Sequence, residues 1–154
     1  MAINIYLAMY KGKGNWIDKI VRLFTWGKYS HCELAVEKKR FTNGHHYEHE
    51  IVYECYSSSP RDGGVRCKEI NLKNGNWDLF LLKGVNERRI KAIFNETKGM
   101  KYDLLGAIGV VIPFIKQKKN KYFCSEWCAR VLKIKGDDTL SPTDLVEVIE
   151  RYRY

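Results

Sequence analysis

A cysteine and a histidine that lie far apart in the chain would be the pair best suited to catalysis if their side chains met. Cys124 stands in the first turn of a predicted helix, and His31 opens a predicted strand on a face that it shares with Glu33. A cysteine attacks as its thiolate, which a neighbouring imidazole or the positive end of a helix stabilises. The N–H groups of that helical turn could also bind the oxyanion formed when sulfur attacks a carbonyl. The two residues are therefore candidates for a nucleophile and its general base.

Both residues also have a purely structural interpretation. Cys124 shares an apolar helical stripe with Trp127 and Cys128, and a cysteine in such a stripe is usually a small core residue. A lone histidine at the start of a strand, such as His31, more often bonds a backbone carbonyl. The pattern alone favours these structural roles, and it does not indicate whether the two side chains meet.

The other cysteines and histidines form no recognisable metal motif. Five cysteines, an odd number without a CxxC pair, indicate reduced thiols rather than a disulfide framework or a zinc ribbon. His45, His46 and His49 lie near Cys55 and Cys67, but in a polar loop at no known ligand spacing. We therefore expect neither a metal nor an organic cofactor.

The elements that must position Cys124 and His31 follow from the apolar periodicity of the sequence. Strands are predicted at residues 3–9, 31–37, 51–56, 65–72 and 77–82, with a loop at 57–64 and a hairpin loop or strand extension at 38–49. Helices are predicted from Trp16 to near Gly27, from the Asn86 cap to residue 98, at 102–111, at 122–132 and after Ser141 and Pro142. This order predicts an α+β domain whose antiparallel sheet, with a central meander, packs against helices.

Length and composition allow one folded domain over residues 1–154. Apolar residues make up 45% and aromatic residues 13% of the chain, which excludes a disordered or collagen-like protein. The longest apolar run, residues 104–115, is interrupted by glycines and Pro113 and is short of the roughly 20 residues of a bilayer span. The N-terminal residues lack the pattern of a secretory signal, so we expect a cytoplasmic protein.

The chain is basic, with 27 Lys and Arg against 18 Asp and Glu and a formal net charge of +9. The excess is concentrated in residues 38–40, 88–91 and 116–121. Such a charge favours an anionic partner, for example nucleic acid, an acidic lipid surface or an acidic polymer. Aromatic residues do not alternate with the basic runs, which disfavours nucleic acid, and solvated basic faces are the simpler interpretation.

Three segments, taken together, favour the catalytic interpretation of Cys124 and His31 over the structural one. They are Tyr29-Ser30-His31-Cys32-Glu33-Leu34, Val52-Tyr53-Glu54-Cys55 and Tyr122-Phe123-Cys124-Ser125-Glu126-Trp127. In this order they resemble the circularly permuted branch of the NlpC-type papain-like superfamily, which includes the YiiX-like proteins and relatives of lecithin:retinol acyltransferase. Members of that branch carry the histidine before the cysteine. The first segment also resembles small proteins of tailed bacteriophages.

The resemblance implies a circularly permuted papain-like fold and a cysteine hydrolase in which Cys124 is the nucleophile and His31 the general base. Glu54, on the next strand, would orient the imidazole. Glu33 is its rival, although a position two residues along one strand could be too far from the second ring nitrogen. Glu126 matches the motif, and we expect it to cap the helix or form an ion pair rather than take part in catalysis.

The expected function is hydrolysis of an amide bond, in a peptide or in peptidoglycan. An acyltransferase, or a hydrolase of lipid or thioester acyl groups, would use the same residues, and a non-catalytic binding module for an anionic partner would keep only the scaffold. Cys32 and Ala35 depart from the residues usual in the family, and the histidine-rich segment between His31 and Glu54 is an extended insertion. These departures do not touch the proposed pair but could reshape the substrate groove.

Overall fold

The computed structural model describes residues 4–14, 19, 22, 27–41, 49–103, 121–135 and 140–152. Within these ranges the strands are β1 (Ile5–Tyr10), β2 (His31–Phe41), β3 (His49–Ser59), β4 (Gly64–Glu69), β5 (Trp77–Leu81), β6 (Lys101–Tyr102) and β7 (Lys121–Tyr122). The helices in the same ranges are α1 (Glu87–Thr97), α2 (Cys124–Leu132) and α3 (Pro142–Tyr152). The α+β class predicted from the sequence is confirmed.

The described strands form one sheet in the order β5-β1-β2-β3-β4-β6-β7. Neighbouring strands are antiparallel, except that β6 and β7 run parallel. The predicted meander covers β2, β3 and β4, but β5 crosses to the opposite edge and pairs with β1. Leu72, in the connection that makes this crossing, packs into a hydrophobic cluster with 3% of its surface exposed. Burial of this side chain helps to hold the connection on the sheet.

Alternation along β2 divides its side chains between the two faces of the sheet. Cys32 and Leu34 belong to the main hydrophobic core, which they share with Trp127 of α2. Ala35, on the other face, packs in a second and smaller cluster. His31 has the same parity as Ala35, so its side chain starts on the face opposite to the main core.

The predicted loop at residues 57–64 is shorter in the structure, because Ser57 and Ser58 continue β3. The Ser57 hydroxyl donates to the Cys32 carbonyl at 2.7 Å, and the Ser58 hydroxyl donates to the Tyr122 carbonyl at 2.6 Å. Serines favour turns when they bond their own backbone, but these two find acceptors on other elements. Pairing with β4, from Ser57 opposite Arg66 to Ser59 opposite Gly64, extends the strand past the point where its sequence resembles a loop, and the two side-chain bonds add to it.

The helix caps predicted from the sequence are confirmed. Asn86 accepts a hydrogen bond from the Arg89 backbone N–H at 2.9 Å, so it caps α1 as predicted. Ser141 and Asp144 exchange side-chain-to-backbone hydrogen bonds at the start of α3, a reciprocal cap. Helix α2 begins at Cys124 rather than Tyr122, because Tyr122 pairs with Tyr102 in the sheet.

Two predicted helices lie largely outside the described residues. Of the first, from residue 16, only Lys19 and Arg22 are described within the helical stretch, and both are helical. Of the second, residues 104–111 fall outside the description, while Tyr102 belongs to β6. None of the described helices has the length and apolar character needed to cross a membrane.

Candidate active site

The site lies where β2 and β3 separate. Their pairing begins at Leu34 opposite Tyr56, although β2 already starts at His31 and β3 continues to Ser59. In the separated stretch the Cys32 carbonyl is bonded by the Ser57 hydroxyl instead of a backbone N–H of β3. The Cys32 backbone N–H is released in the same way, and it donates to the Cys124 sulfur at the start of α2. The separation of β2 and β3 thus leaves space for the Cys124 sulfur.

The surroundings of Cys124 favour its thiolate form. The Cys32 thiol donates a hydrogen bond to its sulfur, and the His31 imidazole adds a second hydrogen bond and a positive charge. Burial opposes ionisation, since only 2% of the residue is exposed, but these donors outweigh it and lower the pKa of Cys124 well below the usual value. The Trp127 N–H makes the first backbone bond of α2, to Phe123, so the N–H groups of Cys124 and Ser125 precede the helical ladder.

His31 is bound on its other side by Glu33. The imidazole Nε2 lies 2.7 Å from Glu33 Oε1, which leaves Nδ1 as the nitrogen available to Cys124. Burial alone lowers the pKa of His31, but the Cys124 thiolate and the Glu33 carboxylate outweigh burial and raise it to about 10. Both shifts favour the thiolate–imidazolium form of the pair.

Glu33 is fully buried, and Arg66 of β4 supplies its counter-charge. Arg66 Nη1 donates to Glu33 Oε2 at 2.6 Å, and Nη2 contacts Oε1, so the guanidinium binds both carboxylate oxygens. Arg66 Nε in turn donates to Asp62 at 2.7 Å. Burial raises the pKa of Glu33, but Arg66 and His31 outweigh burial and lower it. The carboxylate therefore stays ionised beside the imidazole.

Glu54, which the sequence suggested as the orienting residue, is not near the imidazole. It pairs with Val36 in the middle of β2, and its side chain is 37% exposed. Its carboxylate accepts a hydrogen bond from the Tyr56 hydroxyl at 2.8 Å and lies 4.0 Å from Lys91 of α1. The prediction that Glu54 contacts the imidazole is wrong, because Glu33 is the carboxylate within hydrogen-bond distance of His31. Two residues along a strand return to the same face, so a glutamate can bend back to the ring.

The other candidate residues either have structural roles or lie outside the described residues. Glu126 Oε2 accepts a hydrogen bond from the Phe123 backbone N–H at 3.4 Å, the capping role expected of it. His45 and His46 lie outside the described residues, and His49 begins β3. Among the residues that the structure describes, no group of histidine, cysteine and acidic side chains is arranged to hold a metal ion.

Two members of the site had not been singled out as functional in the sequence. Arg66 lies in a predicted strand, but its contact with Glu33 depends on the register of β4 against β3. Cys32 appeared only as a departure from the family pattern, although its position next to His31 was a usable signal. Cys32 also lies 3.7 Å from Cys128, measured between the sulfur atoms.

A cavity of about 310 Å³ opens beside the imidazole, on the sheet face opposite to the main core. His31 and Glu33 contribute to its wall together with Trp77, whose ring centroid lies 6.5 Å from that of His31. Basic side chains from the β3–β4 turn and β4 and further aromatic rings complete much of the lining: Arg61, Arg66, Lys68, Tyr10 and Tyr102. The cavity offers aromatic surface and cationic groups to a ligand that approaches His31.

Comparison with known proteins adds no relative to this geometry. No family model matches the chain, and no curated protein matches its sequence. The chemistry of the site therefore has to be argued from its atoms. A thiolate beside an imidazolium, at a helix N-terminus and with a buried carboxylate behind the ring, has the parts needed for nucleophilic attack on a carbonyl.

Proposed function

We propose that the protein is a cysteine hydrolase that cleaves an amide bond through Cys124, His31 and Glu33. The observation that carries the proposal is the continuous series of contacts from sulfur to imidazole to buried carboxylate. A structural cysteine does not need a charged partner, whereas a nucleophile needs one to be ionised at neutral pH. We further propose the circularly permuted papain-like architecture, since a strand with the histidine precedes the helix with the cysteine.

Acylation would begin when the Cys124 sulfur bonds to the carbonyl carbon of the substrate. The negative charge moves to the carbonyl oxygen, where N–H groups of the first turn of α2 can bind it. His31 then gives its proton to the leaving nitrogen, and the C–N bond breaks. The products are a free amine and a thioester on Cys124.

Deacylation would use the same imidazole as a base. His31, now neutral, takes a proton from water, and the resulting hydroxide attacks the thioester carbonyl. The C–S bond breaks, the carboxylic acid leaves, and the thiolate returns to its place beside the protonated imidazole. Glu33 holds the ring with Nδ1 toward sulfur during both steps, and Arg66 keeps Glu33 ionised.

Alkylation with iodoacetamide at pH 6, followed by mapping of all five cysteines, tests the ionised pair. Cys67 is an internal control, because it is the most exposed of the five cysteines and its pKa is raised, chiefly by burial. We expect Cys124 to react about tenfold faster than Cys67 or more, because only the thiolate is nucleophilic. The preference should be lost in His31→Ala and kept in Glu54→Gln.

Faster reaction at Cys67 than at Cys124 in the unmodified protein would refute the ionised pair. The covalent step is tested by mixing the protein with peptide or peptidoglycan fragments, quenching in acid and measuring the intact mass. An acyl group on Cys124 that passes to water supports the hydrolase. Transfer of that group to an amine or lipid acceptor would instead identify an acyltransferase, and no acyl group with any of these substrates would count against the proposal.

A further inference from the structure

Three cysteine sulfurs meet at the start of α2, although hydrolysis needs only one. Cys32 contacts Cys124 and also lies 3.7 Å, sulfur to sulfur, from Cys128. All three residues are at least 98% buried. A buried cysteine needs no sulfur neighbour to pack well, so the arrangement calls for a chemical explanation.

We propose that Cys32 is a resolving thiol, which converts oxidised Cys124 into a reversible disulfide before further oxidation destroys it. The inference extends the proposed function, because it assumes the ionised Cys124 but not any particular substrate. The co-reactant is a peroxide. Thiolates are the form of cysteine that peroxides oxidise, and the product without a resolving thiol continues to irreversible acids.

The first step is attack of the Cys124 thiolate on one oxygen of hydrogen peroxide. The O–O bond breaks, the sulfur becomes a sulfenic acid, and the displaced hydroxide takes a proton to leave as water. In the second step the Cys32 sulfur attacks the sulfur of that sulfenic acid. The S–O bond breaks, an S–S bond forms, and the hydroxyl group leaves as water with the Cys32 proton.

The position of Cys32 suits both states of its neighbour. While Cys124 is a thiolate, burial and hydrogen bonds to Cys124 and Cys128 raise the pKa of Cys32 well above its usual value, so it remains a neutral donor. Oxidation turns Cys124 into a neutral group, which removes the negative charge that opposes ionisation of Cys32. The same thiol therefore stabilises the nucleophile when reduced and is next to it when oxidised.

The proposed disulfide would join two different elements of the fold and would inactivate the nucleophile. Cys32 belongs to β2 and Cys124 to α2, so a bond between them joins the strand to the helix that carries the nucleophile. It would block the substrate reaction completely, since the attacking sulfur is consumed. Reduction by a small dithiol would restore it.

The test treats the reduced protein with a small excess of hydrogen peroxide, enough to oxidise a thiol twice, blocks the remaining thiols and maps disulfides without reduction. We expect a Cys32–Cys124 disulfide in the unmodified protein and in Cys128→Ala, the matched control that removes the other sulfur neighbour. Cys32→Ala should lack the disulfide and accumulate Cys124 with two added oxygens, which dithiothreitol does not reverse.

Sulfinic acid on Cys124 of the unmodified protein without any bond to Cys32 would overturn the inference, and so would a disulfide between Cys124 and Cys128. The map of the unmodified protein decides the matter even if Cys32→Ala does not fold. Failure of the hydrolase proposal is distinguishable: the disulfide would form, but Cys124 would take no acyl group from any substrate. An acyl group on Cys124 without the disulfide would refute only the resolving role.

Discussion

Two glutamates on neighbouring strands, Glu33 and Glu54, show how position decides what a carboxylate does. Glu33 is fully buried between an imidazole and a guanidinium, whereas the Glu54 side chain is 37% exposed beside Lys91. Charge pairs in water are weak because solvent screens them, but a buried carboxylate must have strong partners to stay ionised. The carboxylate that can influence the imidazole is therefore the one removed from water.

Two neighbouring stretches of β2 and β3 differ in the same way. Around Glu54, which lies opposite Val36 in the middle of the strands, the pairing is regular, and the charges lie on the surface near α1. Beyond Leu34 and Tyr56 the pairing stops, and backbone groups freed by the separation are bonded by Ser57 and Cys124. The regular stretch stabilises the sheet, and the separated stretch holds the candidate site.

The largest expected effect is a loss of activity when Glu33, but not Glu54, is replaced by its amide. Glu33→Gln keeps the shape of the side chain but removes the charge that holds the imidazolium, so we expect a loss of about 10²- to 10⁴-fold in kcat/KM. Glu54→Gln should leave kcat/KM within about twofold, since solvent screens its charge. Steady-state rates on whichever acyl substrate is identified measure both, and equal losses would remove the distinction between the two residues.

The titration of His31 also distinguishes Glu33 from Glu54. The pKa of His31 is raised from 6.5 to about 10 in the folded protein, so the stability that protonation of His31 contributes is fully present below about pH 6.5 and is lost as pH rises through about 10. Histidine NMR signals, assigned with His31→Gln, should show this ring still protonated at pH 8. We expect Glu33→Gln to lower the pKa of His31 and Glu54→Gln to leave it unchanged. A ring that titrates near 6.5 would contradict the ionised pair.

Removal of the cations tests burial directly. Arg66→Met leaves Glu33 buried with its main counter-charge missing, and we expect a loss of about 3–5 kcal/mol in the free energy of unfolding at pH 7. Lys91→Met removes a half-exposed partner of Glu54 and should cost less than about 1 kcal/mol. Urea denaturation measures both changes. A similar small cost for the two variants would mean that water reaches Glu33.

The smallest expected effect concerns the separation of the strands. Ser57→Ala leaves the buried Cys32 carbonyl without its donor and should cost about 1–3 kcal/mol, while slowing alkylation of Cys124. Asn86→Ala, which removes the cap of α1, should cost about 1 kcal/mol and leave alkylation unchanged. Matched urea curves and alkylation rates would tell a local role in the site from a general loss of stability.

Local patterns were predictable where local physics decides the outcome. Asn86 and Ser141 cap their helices because a side-chain oxygen needs only the next turn of backbone. Alternation along β2 likewise predicted that His31 and Glu33 share a face of the strand. The sequence predicts a loop at Ser57, but this residue pairs with Arg66 of β4 and bonds the Cys32 carbonyl of β2. Propensity does not encode partners on other strands.

The α+β class, the strand that carries His31 and the helical turn that carries Cys124 are predictable from the sequence. The folded structure was needed to show that Glu33 rather than Glu54 meets the imidazole, that Arg66 stands behind it and that Cys32 touches the sulfur. Strand register and the point at which two strands part are set by long-range pairing, which local patterns do not contain. A local pattern fixes the face of a side chain, but not the neighbour that it meets there.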